Sequence, residues 1–168
     1  EVLDSVVDAL NELTHDCYLL PRVHPRMKDF PDEFIPWQKA LSKFRGRTVV
    51  DWFQQCTTSS LIAACAKRRG VVVSMFSTTL IEAATLKAPA ISVMFPEYEK
   101  KYYRPECAFD LPVTALGCAR KATSQQELHE LLDAALTGQL DLELQQESHF
   151  KTDGKNAERC ALKILSLM

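Results

Sequence analysis

Two short apolar runs constrain this chain most. They are VVVSM at 71–75 and AISVMF at 90–95, and neither alternates with polar residues. Strands of that kind are buried on both faces, as in a parallel sheet covered by helices. Between them lies FSTTLIEAATLKAP, which reads as a helix over 78–88 closed by Pro89. Strand, helix and strand in so short a span form a βαβ unit.

The rest of the chain repeats this rhythm. EVLDSVVDALNELTHD places Val2, Leu3, Val6, Val7, Leu10 and Leu13 on one helical face. CYLLPRVHP is an apolar run read as a strand ending at His24-Pro25. Residues 26–47 are basic, aromatic and broken by proline, so they are loop with room for a short helix. TVVDWF at 48–53 supplies a second strand. The run Thr57-Thr58-Ser59-Ser60 can cap a helix that ends at Gly70 with Lys67, Arg68 and Arg69 at its negative end. After 95 comes an irregular stretch, PEYEKKYYRPECAFDLP. A weaker strand, TALGCARKA, leads to a helix entered at Ser124 with Glu127 three residues on, a capping box. DGKNAERCALKILSLM reads as a closing helix after Gly154. The expected fold is α/β, a Rossmann-like, doubly wound, mainly parallel sheet of about five to six strands with helices on both faces. No internal repeat, low-complexity segment or domain boundary interrupts it.

Composition removes several function classes. The chain has 168 residues, room for one domain with a proper core, and a net charge of −2 that gives no electrostatic case for nucleic acid. No apolar stretch approaches the roughly 20 residues of a membrane span. The six cysteines are scattered without a C-x-x-C pair, which argues against zinc and a disulfide framework and reads as small buried residues of a cytosolic protein. With five glycines, no G-x-x-x-x-G-K-[ST] or G-x-G-x-x-G loop and no G-x-S-x-G elbow are present. Any phosphate site must use hydroxyls and backbone donors.

Such a site has candidates. In an open parallel sheet, ligands bind beyond the carboxyl ends of the strands. The VVVSM strand delivers Ser77, Thr78 and Thr79 to that edge, at a helix N-terminus suited to phosphate. Either one of them caps the helix and the others face solvent, or the group holds an anion. Glu82, one turn on, can look toward the same edge and accept ribose hydroxyls, although a glutamate there also simply suits the helix dipole. His24 and Arg26 flank Pro25 at another strand end, as phosphate contacts or as a plain surface turn. Glu97 and Tyr98 follow a strand on the ligand side, within a stretch able to line a pocket or close over it. Trp37 and Trp52 read as packing residues.

VVVSMFSTTLIEAATLKAPAISVMF, with its S-x-x-S-T-T-x-x-x-E-A pattern, resembles the C-terminal, donor-binding domain of GT-B glycosyltransferases. DGKNAERCALKIL resembles the last helix of such domains. His24-Pro25 is similar to the His-Pro motif of bacterial sialyltransferases and of glycerophosphotransferases acting on CDP-glycerol. The layout also resembles non-hydrolysing UDP-N-acetylglucosamine 2-epimerases. The resemblance implies that Ser77, Thr78 and Thr79 hold donor phosphates, with His24 and, more weakly, Arg26. It implies that Glu82 takes the ribose hydroxyls, and that Glu97 and Tyr98 lie near the donor sugar. It implies a nucleotide-sugar substrate linked through UDP or CMP/CDP, no cofactor and no metal. Many relatives carry glycine where Lys87-Ala88 precede Pro89, a departure that leaves the fold standing because a helix can end without left-handed geometry.

GT-B enzymes have two Rossmann-like domains, and this chain has room for one. It is expected to be the C-terminal half of a larger protein, inactive alone, partnered by an N-terminal acceptor-binding domain or a partner chain. The expected location is cytoplasmic, with peripheral membrane association on the cytoplasmic face open to the missing half. Two other functions stay open. One is an epimerase or hydrolase of nucleotide sugars. The other is a non-catalytic nucleotide-sugar-binding subunit that docks on a catalytic partner, through Val2, Val6 or the aromatics of 30–37.

Overall fold

A computed structural model describes residues 1–22, 29–49, 56–102 and 111–166 of the chain. At its centre β3 (Val72–Ser74), β4 (Ala90–Val93) and β5 (Arg120–Ala122) pair in parallel, in that order. A second parallel pair joins β1 (Tyr18–Leu19) to β2 (Arg47–Thr48), with the Val49 N–H donating to the Leu19 carbonyl at 3.0 Å. The architecture is therefore mixed α/β with parallel pairing throughout, in sheets of three and two strands among the described residues.

Of the two unalternating strands, β4 has the cause its sequence suggested, while β3 is half-buried along its length. Every residue of β4 is buried. Ile91 and Val93 pack on one side with Val6 and Leu10 of α1 (Val2–Glu12) and Leu128 and Leu132 of α7 (Gln125–Thr137). Ala90 packs on the other with Ile62 of α3 (Thr58–Lys67), Leu80 and Ala83 of α4 (Thr79–Thr85), and Val113 of α6 (Pro112–Ala115). Helices thus cover both faces, and each β4 side chain finds an apolar neighbour whichever way it points. Leu19 and Val73 join the same cluster as Ile91, so the two sheets share one core.

Several elements differ from expectation. The stretch after β4 is not irregular at its start: α5 spans Pro96–Tyr102. Proline at the first helical position needs no N–H there and presets φ. TALGCARKA is not one strand, because α6 takes its first residues and only Arg120–Ala122 are extended. Gly117, at φ 71, makes the intervening turn. The stretch over 26–47, read as loop with room for a short helix, does hold one: α2 (Ile35–Leu41) follows a 3₁₀ turn at Pro31–Phe34. The strand predicted at 48–53 is described only through Val49. The capping box at Ser124 is split: Ser124 Oγ accepts from the Glu127 N–H at 3.2 Å, while Glu127 accepts from the N–H of Thr123 at 2.7 Å.

Two helix ends also depart from the reading. Beyond α3 it is Arg69, at φ 54, that turns left-handed, not Gly70. Gly70 serves by its small size, since a Cβ there would stand 2.8 Å from the Cys65 Cα, and its N–H donates to the Cys65 carbonyl at 2.9 Å. Beyond α4 the helix ends in left-handed geometry even without glycine: Lys87 has φ 60, and the Ala88 N–H reaches back to the Ala83 carbonyl at 2.9 Å. This is the bonding of a Schellman stop with a lysine where glycine is usual.

Two C-terminal helices follow, α8 (Glu143–His149) and α9 (Asn156–Leu165). Buried Gln146 fastens α8 to the sheet. Its amide donates at 3.0 Å to both the Ala88 carbonyl, ahead of β4, and the Cys118 carbonyl, ahead of β5. The cysteines divide: Cys118 is buried and Cys17 and Cys65 partly so, but Cys56 and Cys160 are exposed, contrary to the expectation of mostly buried thiols. Burial pushes the Cys118 and Cys65 thiols up, against ready ionisation. Trp37 is half-buried and stacked on Phe34 at 6.3 Å, a packing role as expected, while Trp52 and Cys107 lie outside the described residues.

Candidate functional site

Because β3, β4 and β5 run parallel, the junctions that follow them open on one edge of the sheet. The β3–α4 junction carries the hydroxyl run. Buried Ser92 of β4 donates its Oγ–H to the Met75 carbonyl at 2.9 Å and so pins the chain just after β3. Two residues later Ser77 caps the helix. Its Oγ accepts the Thr79 N–H at 3.1 Å and donates to Thr79 Oγ1 at 2.8 Å. Thr78 stands between them, exposed, and its hydroxyl caps nothing. Among the described residues neither its hydroxyl nor its N–H makes a hydrogen bond. One hydroxyl thus does the capping, one braces it, and one is spare.

Glu82 lies in the first turns of α4, partly buried. Its Oε2 accepts a long bond, 3.4 Å, from the Ser59 Oγ–H in the first turn of α3. The two helix starts therefore stand side by side. At α3 the N-cap is Thr57, whose Oγ1 accepts the Ser60 N–H at 3.1 Å. That leaves Thr58 and Ser59 free of capping, as at Thr78. Thr58 Oγ1 accepts instead from Arg22, 3.3 Å away and half-buried just past β1. A guanidinium, several hydroxyls and a carboxylate thus gather around two helix N-termini. Such a set can meet an anion with the cation and the donors, and a diol with the carboxylate.

The remaining predicted residues separate. Glu97 is exposed in the first turn of α5, at the edge shared with the hydroxyl run. Tyr98 is buried in the core beneath α1, stacked on Phe95 at 5.3 Å, with its hydroxyl 2.9 Å from Ser5 Oγ. Burial pushes its phenol up, partly offset by the Ser5 bond. Its neighbours are those of a packing residue. His24 and Arg26 lie outside the described residues. Arg22 was missed by the sequence reading. It is the first charge after the apolar run of β1, the same signal that pointed to His24 two residues later.

A groove of about 520 Å³ lies elsewhere, lined by Asp8, Asn11, Glu12, Arg45 and Gln125. Its amides serve the fold: Asn11 bonds the Lys43 carbonyl and the Arg45 N–H, and Gln125 bonds the Ser5 carbonyl. Among the described residues no cluster of three His, Cys, Asp or Glu side chains is placed to hold a metal ion, and no helix is long and apolar enough to cross a membrane. Comparison of the chain with protein families, curated proteins and solved structures gave no match in any of the three.

Proposed function

We propose that the chain is the donor-binding half of a GT-B glycosyltransferase, a Rossmann-like domain holding the nucleotide part of an activated sugar. The observation that carries this reading is the pairing of Glu82 with Ser59 beside the Ser77–Thr79 turn, with the Thr78 donors uncommitted. The capping of α3 and α4 needs only Thr57 and Ser77. The spare groups are donors and an acceptor of the kinds that a pyrophosphate and a ribose require.

The chemistry follows from that division. As the glycosidic bond breaks, negative charge grows on the departing nucleotide phosphate. The Thr78 hydroxyl and N–H donate to it, and Arg22 and His24 add charge or further donors. Glu82 accepts from the ribose hydroxyls, and its loose bond to Ser59 is exchanged for them. Tyr98 has its hydroxyl on Ser5, so the sugar-side contact falls to Glu97. The general base for the acceptor hydroxyl belongs to the other half or a partner chain, and the isolated domain binds without turnover. The donor is UDP- or CMP/CDP-linked.

The test is saturation-transfer NMR of the domain with UDP, CMP and CDP. One nucleotide is expected to bind with Kd of about 0.1–1 mM, and its preference names the donor class. Absence of binding by all three contradicts the proposal. An exposed apolar pair, Phe30 and Ile35 at 55% and 57% exposure, favours the second reading of a binding subunit that docks on a catalytic chain. Val2 and Val6, the other residues considered for that face, lie in or against the core. Turnover of a nucleotide sugar by this chain alone excludes the subunit reading.

A further inference from the structure

The first turn of α3 holds two charged groups that belong to other elements. The side chain that caps this helix is Thr57, which accepts the Ser60 N–H at 3.1 Å. The next two residues serve other side chains. Thr58 Oγ1 accepts from Arg22, which follows β1, and Ser59 Oγ donates to Glu82 of α4. A cation and a carboxylate are therefore held at adjacent positions of one helix start, by hydroxyls that the helix does not use for its own cap.

The Arg22 contact works against α3 itself. Unpaired N–H groups leave a helix start partly positive, and that end disfavours a cation. The first turn of α3 contains no acid of its own to offset the guanidinium. Arg22 is nonetheless anchored at both ends. Its backbone follows buried Pro21, whose ring fixes the chain leading into it. Its tip lies 3.3 Å from the Thr58 hydroxyl, on a half-buried, β-branched side chain with few rotamers. A phosphate brought to this point is attracted both by the guanidinium and by the helix start.

Building on the nucleotide-binding reading, we propose that Thr58 is the positioning residue of Arg22, holding its guanidinium ready for a phosphate of the ligand. The charged groups then divide the ligand between them. Arg22, set by Thr58, meets the phosphate, and Glu82 meets the diol. An arginine loses much rotational freedom when it is ordered, so one already oriented binds an anion more tightly than one that is not. Thr58 acts through Arg22, without touching the ligand.

The test is a double-mutant cycle on the whole chain. It is read by calorimetric titration with inorganic pyrophosphate and, in parallel, with UDP, CMP and CDP. Thr58→Val is expected to weaken pyrophosphate binding about fivefold, and Arg22→Gln about tenfold or more. In the Arg22→Gln background, Thr58→Val is expected to change nothing further. Thr58→Ser keeps the hydroxyl and is expected to bind within about twofold of the parent. Ser59→Ala is expected to leave pyrophosphate affinity unchanged. The proposal fails if Thr58→Val binds as the parent does, if Thr58→Ser is as weak as Thr58→Val, or if Ser59→Ala is equally weak. It fails too if the two losses add in the double variant, which would make Thr58 a direct contact, or if the parent does not bind pyrophosphate. Nucleotides that bind Thr58→Val as they bind the parent would sink the positioning role and leave the nucleotide reading standing. Pyrophosphate bound in the expected order, with no nucleotide bound at all, would do the reverse.

Discussion

Arg69 and Lys87 are the two residues whose backbone works against their chemistry. Both stand at φ near 60, where a Cβ crowds its own carbonyl at a cost of about 1–2 kcal/mol. Glycine removes that cost but loosens the unfolded chain, so the net gain is smaller. Arg69→Gly is expected to raise stability by about 0.5–1 kcal/mol in urea denaturation. Lys87→Gly is expected to gain less, because Lys87 Nζ also donates to the Phe150 carbonyl at 3.1 Å. A loss of stability in Arg69→Gly would mean that its side chain does more than close a turn. These positions were not legible in the sequence. Gly70 looked like the stop because glycine usually is, while the 2.8 Å approach of Cys65 that demands glycine there is a tertiary fact. At the candidate site the hydroxyl run and Glu82 were legible, because residue types suited to phosphate and ribose followed an apolar strand. Which hydroxyl caps and which is spare was not, since that depends on backbone angles at three neighbouring residues.

At the scale of elements, strands and helices with strong periodicity were read correctly: α1, α3, β3, α4, β4, α7 and α9 lie where the pattern put them. The misreadings fell on short elements set by proline and by packing. Pro96 and Pro112 begin helices that hydrophobic pattern alone does not signal. Gln146 of α8 is a polar residue in the core and invisible to any apolar pattern, yet it joins β4 and β5 from below. Gln146→Leu leaves two carbonyls without their donor and is expected to cost about 2–4 kcal/mol, read from chemical denaturation. An unchanged midpoint would show that other donors replace it. The entry to α9 depends on pH. Asp153 accepts both Arg159 bonds at 2.9 Å and the Lys155 N–H at 3.1 Å, which holds its carboxyl down to about 2 from 3.8. Its folded pKa lies below the unfolded one, so the contribution is complete above about pH 4 and disappears as pH falls toward 2. The Arg159 side-chain NMR signal is expected to change over that window and to stay constant between pH 5 and 8.

For the whole molecule, the alternation of apolar strands with helices foretold an α/β chain with parallel pairing, and that class is what the fold displays. Among the described residues the strands form one parallel pair, β1–β2, and one sheet of three, β3–β5, rather than a single sheet of five or six. Parallel order within the larger sheet is legible from local pattern, because each crossover needs a helix. Joining one sheet to the next is a long-range matter that no local pattern records. The domain carries its uncommitted donors at one sheet edge and its uncovered apolar side on α9.

The central claim is that the Thr78 and Glu82 groups are held for a ligand and not for the fold. Calorimetric titration of the preferred nucleotide into the parent, Thr78→Ala and Glu82→Gln, with a thermal melt of each, tests it most directly. Thr78 makes no internal side-chain bond and Glu82 only a long one, so both melts are expected within a degree or two of the parent. Affinity is expected to fall about fivefold for Thr78→Ala and tenfold or more for Glu82→Gln. Lost stability with unchanged affinity in either variant would contradict the account, and would return the spare hydroxyl and the glutamate to the helix they begin.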